Sequence, residues 1–341
     1  MKFGKFFFFV IILLLVVVGS VFSVGEKVPL AERTILMAGV PTYLDRFDSF
    51  LLYSKGMEEK LNARGVKFNY VLRAPGGGFS DHTGQRAIYE DMLALGVDMI
   101  LTLPTSIEIQ MSAYRMIADE YNVPLIITDF LSFPEGAELP KNMNNVWFAS
   151  YSHKDMGIAV ADYIKANYPK GTKIVIIKGI PGIISEDRAS NELHIANGME
   201  ILYEHWADFD REKAYVAAQN SLGAYPDVEI ILGCNSTMAI GIVKAVEDAG
   251  MLGKVDVIGY GGIIEELSSI AQGKLKATAA RNHFDVGEYM AEVVLAYRDG
   301  YTDNLEHVFQ TPIAVYDSKQ SILDNIDPRY LELFKIPGLN D

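Results

Sequence analysis

Short runs of β-branched and aliphatic residues alternate along the chain with longer stretches whose apolar positions recur every three or four residues. Residues 34–39 read as a strand and 50–64 as a helix with Leu51, Leu52, Met57 and Leu61 on one face. A strand at 66–72, a helix at 84–95, a strand at 99–103, a helix at 107–120 and a strand at 124–128 continue the alternation. A stretch containing Pro and Gly, 132–145, interrupts it. The pattern restarts with a helix at 154–167, a strand at 173–177 and helices at 190–205 and 211–225. Strands at 228–232, 255–260 and 277–280 then alternate with helices at 238–249, 265–272 and 285–299. Apolar runs without period-two alternation suit strands covered on both faces, as in a parallel sheet. Two α/β units in tandem, each a doubly wound parallel layer, are the simplest reading. The tail from residue 311 has too little periodicity for a third domain.

Lys2 and Lys5 precede the wholly apolar stretch 6–18, and Gly19, Ser20 and Ser23 follow it. This is the layout of an export signal over 1–23, too short to span a bilayer comfortably, which takes about 20 apolar residues. An uncleaved anchor is the alternative, and either places the remainder outside the cytoplasm, in the periplasm. Removing 1–23 takes away two lysines and no acid, so the formal charge moves from −14 to −16. Phosphate backbones and anionic lipid repel such a chain, which makes nucleic acid and membrane surfaces poor partners. Cys234 is the single cysteine and lies in an apolar run, so it reads as a buried core residue.

Ligands of open α/β sheets sit beyond the carboxyl ends of the strands. Those exits carry Asp45, Phe47 and Phe50 after the first strand, Asp129 after 124–128, and Arg188 beyond 173–177. Asn235 and Ser236 follow 228–232, Tyr260 and two glycines end 255–260, and Arg281 ends 277–280. Other motifs fail. The glycines at 76–78 are not followed by Gly-Lys-Ser/Thr, residues 259–262 lack a third fingerprint glycine, and no Gly-x-Ser-x-Gly elbow occurs. The six histidines (82, 153, 194, 205, 283 and 307) show no metal-ligand spacing, so neither metal nor cofactor is expected. No nucleophile–base pair supports catalysis.

The segments GIISEDRASNEL, GCNSTMAIGIVKAVEDAG and VIGYGGIIEELSSIAQGKLKATAARN resemble the type I periplasmic binding proteins of the ribose- and galactose-binding group. Within it the sequence is most similar to the LuxP-type autoinducer-2 receptors. The resemblance implies two lobes joined by a three-strand hinge, with a ligand in the cleft. The first lobe would be 33–131 plus 282–307 and the second 132–281 plus 308–330, with a tail at 331–341. It implies ligand contacts at Arg188, Arg281, Asp129, Asn235 and Ser236, with Phe47, Phe50 and Tyr260 as aromatic walls. Asp129 matches an aspartate of the sugar binders where the LuxP type has asparagine. At Gly261 sugar binders carry an aspartate and the LuxP type a glycine, whereas Asp45 and Phe47 stand where the LuxP type has glutamine and serine. The pocket thus follows neither pattern throughout.

Arginine offers a rigid fork of donors and aspartate accepts bidentately from vicinal hydroxyls, while aromatic rings cover apolar faces. The resemblance therefore implies a monomeric, non-enzymatic binding protein that closes on a small sugar-like ligand. It would present that ligand either to a membrane ABC permease or to a sensor histidine kinase. A sugar-modifying enzyme is the rival from another class, and a LacI-type regulator would need an amino-terminal helix-turn-helix in place of the export signal.

Overall fold

The computed structural model describes residues 34–42, 47–128, 143–181 and 188–339, apart from the side chains of Phe47, Asp48 and Phe79. Two six-stranded sheets organise the molecule. The first runs β2 (Phe68–Leu72), β1 (Ile35–Val40), β3 (Met99–Thr102), β4 (Leu125–Ile127), β5 (Val146–Ser150), β11 (Val308–Gln310), all parallel. The second runs β7 (Glu200–Trp206), β6 (Lys173–Lys178), β8 (Ile230–Gly233), β9 (Asp256–Gly261), β10 (Ala277–Arg281), β12 (Ile313–Tyr316). Only its last strand, β12 against β10, pairs antiparallel. Counted within itself, each sheet has the order 2-1-3-4-5-6, the doubly wound arrangement whose strand order reverses beside the first strand. This is the α/β architecture expected.

The central strands are apolar because helices cover both faces. Met99–Thr102, Leu125–Ile127 and Ile230–Gly233 are buried throughout. The edge strand β7 is different, with Glu200, Tyr203 and Trp206 exposed. Its mixed sequence imitates helical spacing, so the helix expected over 190–205 is in fact a short helix, Asn191–Ala196, followed by β7. The stop is Gly198 at φ +87°, a left-handed position at which glycine ends helices.

Two further departures concern the lobe boundaries. β5 and β11 both belong to the first sheet, so that half extends past residue 131 to 150 and, on its return, past 307 to 310. Residues beyond 330 are not a separate tail, since Ile336 and Leu339 are buried in the second core. Strands β5, β7, β11 and β12 were not expected from the periodicity; each is short or lies toward a sheet edge.

Among the described residues the chain crosses between the halves three times. β5 ends at Ser150, and helix His153–Asn167 begins in the second half after Tyr151 and Ser152. β10 ends at Arg281, and helix His283–Asp299 returns to the first core after Asn282 alone. β11 ends at Gln310 and β12 begins at Ile313. Ser152 and Asn282 are helix N-caps, accepting from the Asp155 and Phe284 amides at 3.0 Å each. The caps leave the connecting residues little conformational freedom.

Helix His283–Asp299 is locked to helix Phe47–Asn62 through two glycines. A Cβ on Gly56 would lie 2.6 Å from the Phe284 carbonyl oxygen, and one on Gly287 would overlap the Tyr53 carbonyl oxygen. Gly287→Ala is therefore expected to force the helices apart and to destabilise the fold by about 1–3 kcal/mol. Urea unfolding checks this; an unchanged midpoint would show that the crossing is looser than described.

Candidate functional site

The carboxyl ends of both sheets face a common cleft of about 1070 Å³. The first half contributes Ser49 and the loop residues Gly77, Gly78 and Ser80. The second half and the crossings contribute Tyr151 beyond β5, Arg188 beyond β6, Phe209 beyond β7, Asn235 and Ser236 beyond β8, Tyr260 and Gly261 on β9, and Arg281 on β10.

Tyr151 is the centre of the arrangement. The Arg281 guanidinium lies 4.3 Å from its ring centroid and that of Arg188 5.6 Å. Arg188 Nη2 also donates to the Tyr151 hydroxyl. Arg188 Nε donates to His153 Nδ1 at 3.0 Å and Nη1 to the Cys234 carbonyl at 3.2 Å. His153 must then be neutral with its proton on Nε2, because only an unprotonated Nδ1 can accept. Among the described residues three of the five Arg188 N–H groups are used and two remain. Arg281 Nη2 donates to the Tyr53 hydroxyl at 3.4 Å. Both arginines are almost wholly buried, at 6% and 5% exposed.

Phe209 forms an aromatic wall. It adopts φ +59° and Asp208 φ +51°, a left-handed turn rare for residues with side chains. The turn presses the Phe209 ring against Gly179, where any Cβ would overlap it. Outside the aromatic wall, two ion pairs lie at the rim. Arg211 makes a bidentate pair with Glu265 at 3.0 and 2.6 Å, and Lys213 pairs with Asp208 at 2.6 Å.

Two parallel-sheet halves, three crossings and a cleft at the strand ends can now be set beside known proteins. The family described as "Periplasmic binding protein domain" matches residues 44–302. The chain belongs to the periplasmic binding protein family. Curated relatives of this binding protein include the ribose import binding protein RbsB of Bacillus subtilis, 30% identical over 71% of this chain and 75% of its own. Another is the D-allose-binding periplasmic protein of Escherichia coli, 28% identical over 68% of this chain and 75% of its own. Its fold matches an ABC transporter periplasmic solute binding protein from Actinobacillus succinogenes, solved with bound D-allose. There the TM-score is 0.73 at 24% identity, over 84% of this chain and 99% of that one.

Of the residues singled out in the sequence, the binding protein brings Arg188, Arg281, Asn235, Ser236 and Tyr260 to the one cleft. Phe50 does not reach it. Its ring is buried in the first core, 5.5 Å from that of Tyr53, while its neighbour Ser49 lines the cleft. The helical spacing that makes position 50 a core position turns position 49 toward the opening. Asp45, Asp129 and the Phe47 side chain lie outside the described residues. Asn235 is the N-cap of helix Ser236–Asp248, its Oδ1 accepting from the Met238 amide at 2.8 Å. The Tyr260 hydroxyl makes no hydrogen bond among the described residues. Tyr151 and Phe209 escaped sequence reasoning. Tyr151 follows β5 and Phe209 follows β7, two strands that the periodicity did not predict. Among the described residues no group of three or more His, Cys, Asp or Glu is placed to hold a metal.

Beneath the β9 wall lies Glu266, fully buried. Its Oε2 accepts from the Ser236 hydroxyl at 2.7 Å, the Gly262 amide at 2.7 Å and the Thr278 hydroxyl at 3.1 Å. Burial outweighs these bonds and pushes the carboxyl up from 4.5 to about 7. Between those values the folded state holds a proton that the unfolded state has released. Stability should therefore fall as pH rises from 4.5 to about 7 and level off above. The full contribution is on the order of 3 kcal/mol. Glu266→Gln, which cannot titrate, should gain on the wild type across that window. Thermal melts of both proteins between pH 4 and 8 check it, and parallel curves would show that Glu266 does not titrate there.

Proposed function

We propose that this periplasmic binding protein captures a small polyhydroxylated, sugar-like ligand in the cleft and delivers it to a membrane ABC permease. The observation that carries the reading is the pair of buried guanidiniums held on Tyr151 where the chain crosses between its halves. Among the described residues Arg188 keeps two N–H donors that a ligand can use. Phe209 and Tyr260 add aromatic surface beside them, the mixture of planar donors and apolar walls that suits a sugar ring. The names of the relatives, a ribose import binding protein and a D-allose-binding protein, support the same ligand class and favour import over signalling. They also support binding without turnover. The LuxP-type reading, in which a sensor kinase receives the signal, rests on Gly261 and on the resemblance of the segments around Arg188 and Arg281, and gains no support from these relatives. Periplasmic residence follows from the same reading, with the export signal expected over 1–23.

Closure of the halves on a ligand couples ligand affinity to partner affinity, whichever partner is present. Calorimetry with D-ribose and D-allose tests the ligand class, and Arg188→Ala and Arg281→Ala should each weaken binding tenfold or more, about 1.4 kcal/mol. Wild-type affinity in both variants would remove the two arginines from the site. Gene deletion should abolish uptake of the bound sugar; undiminished uptake would discard the importer role.

A further inference from the structure

We propose that Glu266 is a positioning residue for ligand binding, whose buried carboxyl holds the Ser236 hydroxyl as a hydrogen-bond acceptor facing the cleft. The proposal rests on the sugar-binding reading above and specifies one contact within it.

At the end of β9 the backbone has no room for a side chain. Gly261 adopts φ +141°, and a Cβ there would overlap Ser236 Oγ. Ser236 thus occupies the space that a side chain at 261 would take, and Glu266 Oε2 stands behind it, 3.8 Å from the same point. The wall carries a carboxyl, but one layer deep, with a hydroxyl between it and the cleft.

The direction of the hydroxyl proton follows from its neighbours. Ser236 Oγ lies 2.7 Å from Glu266 Oε2 and 3.2 Å from the Tyr260 carbonyl oxygen. Both are acceptors and a hydroxyl has a single proton, so that proton points inward and only a lone pair is left for the cleft. Glu266 is the stronger of the two partners. It is nearer, and its Oε2 is itself pinned by the Gly262 amide and the Thr278 hydroxyl. Protonation of Glu266 does not reverse this polarity. Three donors converge on Oε2, so a proton goes to Oε1, which has no hydrogen-bond partner among the described residues. A chain of hydrogen bonds ending on a carboxyl also polarises the serine oxygen, which strengthens it as an acceptor. A ligand hydroxyl can donate to Ser236; an ether or carbonyl oxygen in the same place would meet it lone pair to lone pair.

The test has one arm without ligand and one with it. In ligand-free protein labelled with ¹³C at the glutamate carboxyls, Ser236→Ala should raise the Glu266 titration midpoint, because it removes a bond that favours the ionised form. An unmoved midpoint overturns the proposal, whatever the ligand is. With D-ribose or D-allose, whichever the wild type binds more tightly, Ser236→Ala and Glu266→Leu should each weaken binding about tenfold. Glu266→Gln, which can still offer an oxygen to Ser236, should lose no more than about threefold. Ser236→Ala combined with Glu266→Leu should bind no more weakly than Ser236→Ala alone. Independent, multiplied losses in that double variant, or undiminished binding by Glu266→Leu, would overturn the proposal. If Glu266→Leu fails to fold, the carboxyl titration and the Glu266→Gln comparison still decide. If neither sugar binds the wild type, the proposed function falls, while the ligand-free titration still rules on the Glu266–Ser236 bond.

Discussion

Two guanidinium groups share the ring of one tyrosine, and that tyrosine lies on a segment by which the chain passes from one half to the other. Arg281 and Arg188 stack at 4.3 and 5.6 Å from Tyr151. Removing a cation from water is costly unless hydrogen bonds and nearby charge density replace the hydration shell. Here the replacement comes from the π face of Tyr151, the neutral nitrogen of His153, the Cys234 carbonyl and the Tyr53 hydroxyl. These partners orient the forks. Because Arg281 is followed at once by the Asn282 cap, and Tyr151 by the Ser152 cap, any change in the angle between the halves is felt at the stack. The donors that would hold a ligand and the joints that would move on closure are the same few residues.

The rest of the cleft is arranged to leave those donors to a ligand. At the rim Arg211 pairs with Glu265 and Lys213 with Asp208. Exposed pairs of this kind add little stability, but they keep mobile carboxylates occupied at the mouth. Phe209 is set by a turn with two consecutive left-handed residues, a conformation that costs of order 1–3 kcal/mol per residue and is retained where the surroundings enforce it. The enforcement is visible in Gly179, whose missing side chain is filled by the Phe209 ring.

Much of this was legible in the sequence, for physical reasons that differ from part to part. The buried strands β6, β8 and β10 are short runs of mostly apolar residues, and their ends located Arg188, Asn235, Ser236 and Arg281. What could not be read was whatever depends on an edge or on three-dimensional proximity. β7 is half polar, so its residues 200–205 match helical spacing, and with the strand the aromatic wall at Phe209 was lost. Phe50 and Ser49 are adjacent, yet a single residue's rotation about the helix puts the aromatic in the core and the serine at the cleft. Tyr151 is polar enough to pass for a loop residue, and its role is visible only once two arginines more than 90 residues apart meet over it.

The polarity of the cleft narrows the chemistry of what it can hold. Among the described residues Arg188 has two N–H groups to spare. Asn235 spends its carbonyl oxygen on the Met238 amide, which leaves its NH₂ as the free end of the side chain. Against these donors stands Ser236, whose proton is committed to Glu266 and the Tyr260 carbonyl, so it accepts. A ligand must therefore receive hydrogen bonds along one side and give one at the β9 wall. A carboxylate could satisfy the arginines but has no proton for Ser236, and an amine could satisfy Ser236 but not the arginines. A hydroxyl does both, giving with its proton and receiving with its lone pairs. A ring carrying several hydroxyls at fixed angles meets every one of these demands at once, which is the physical ground for reading the site as one for a polyol or sugar.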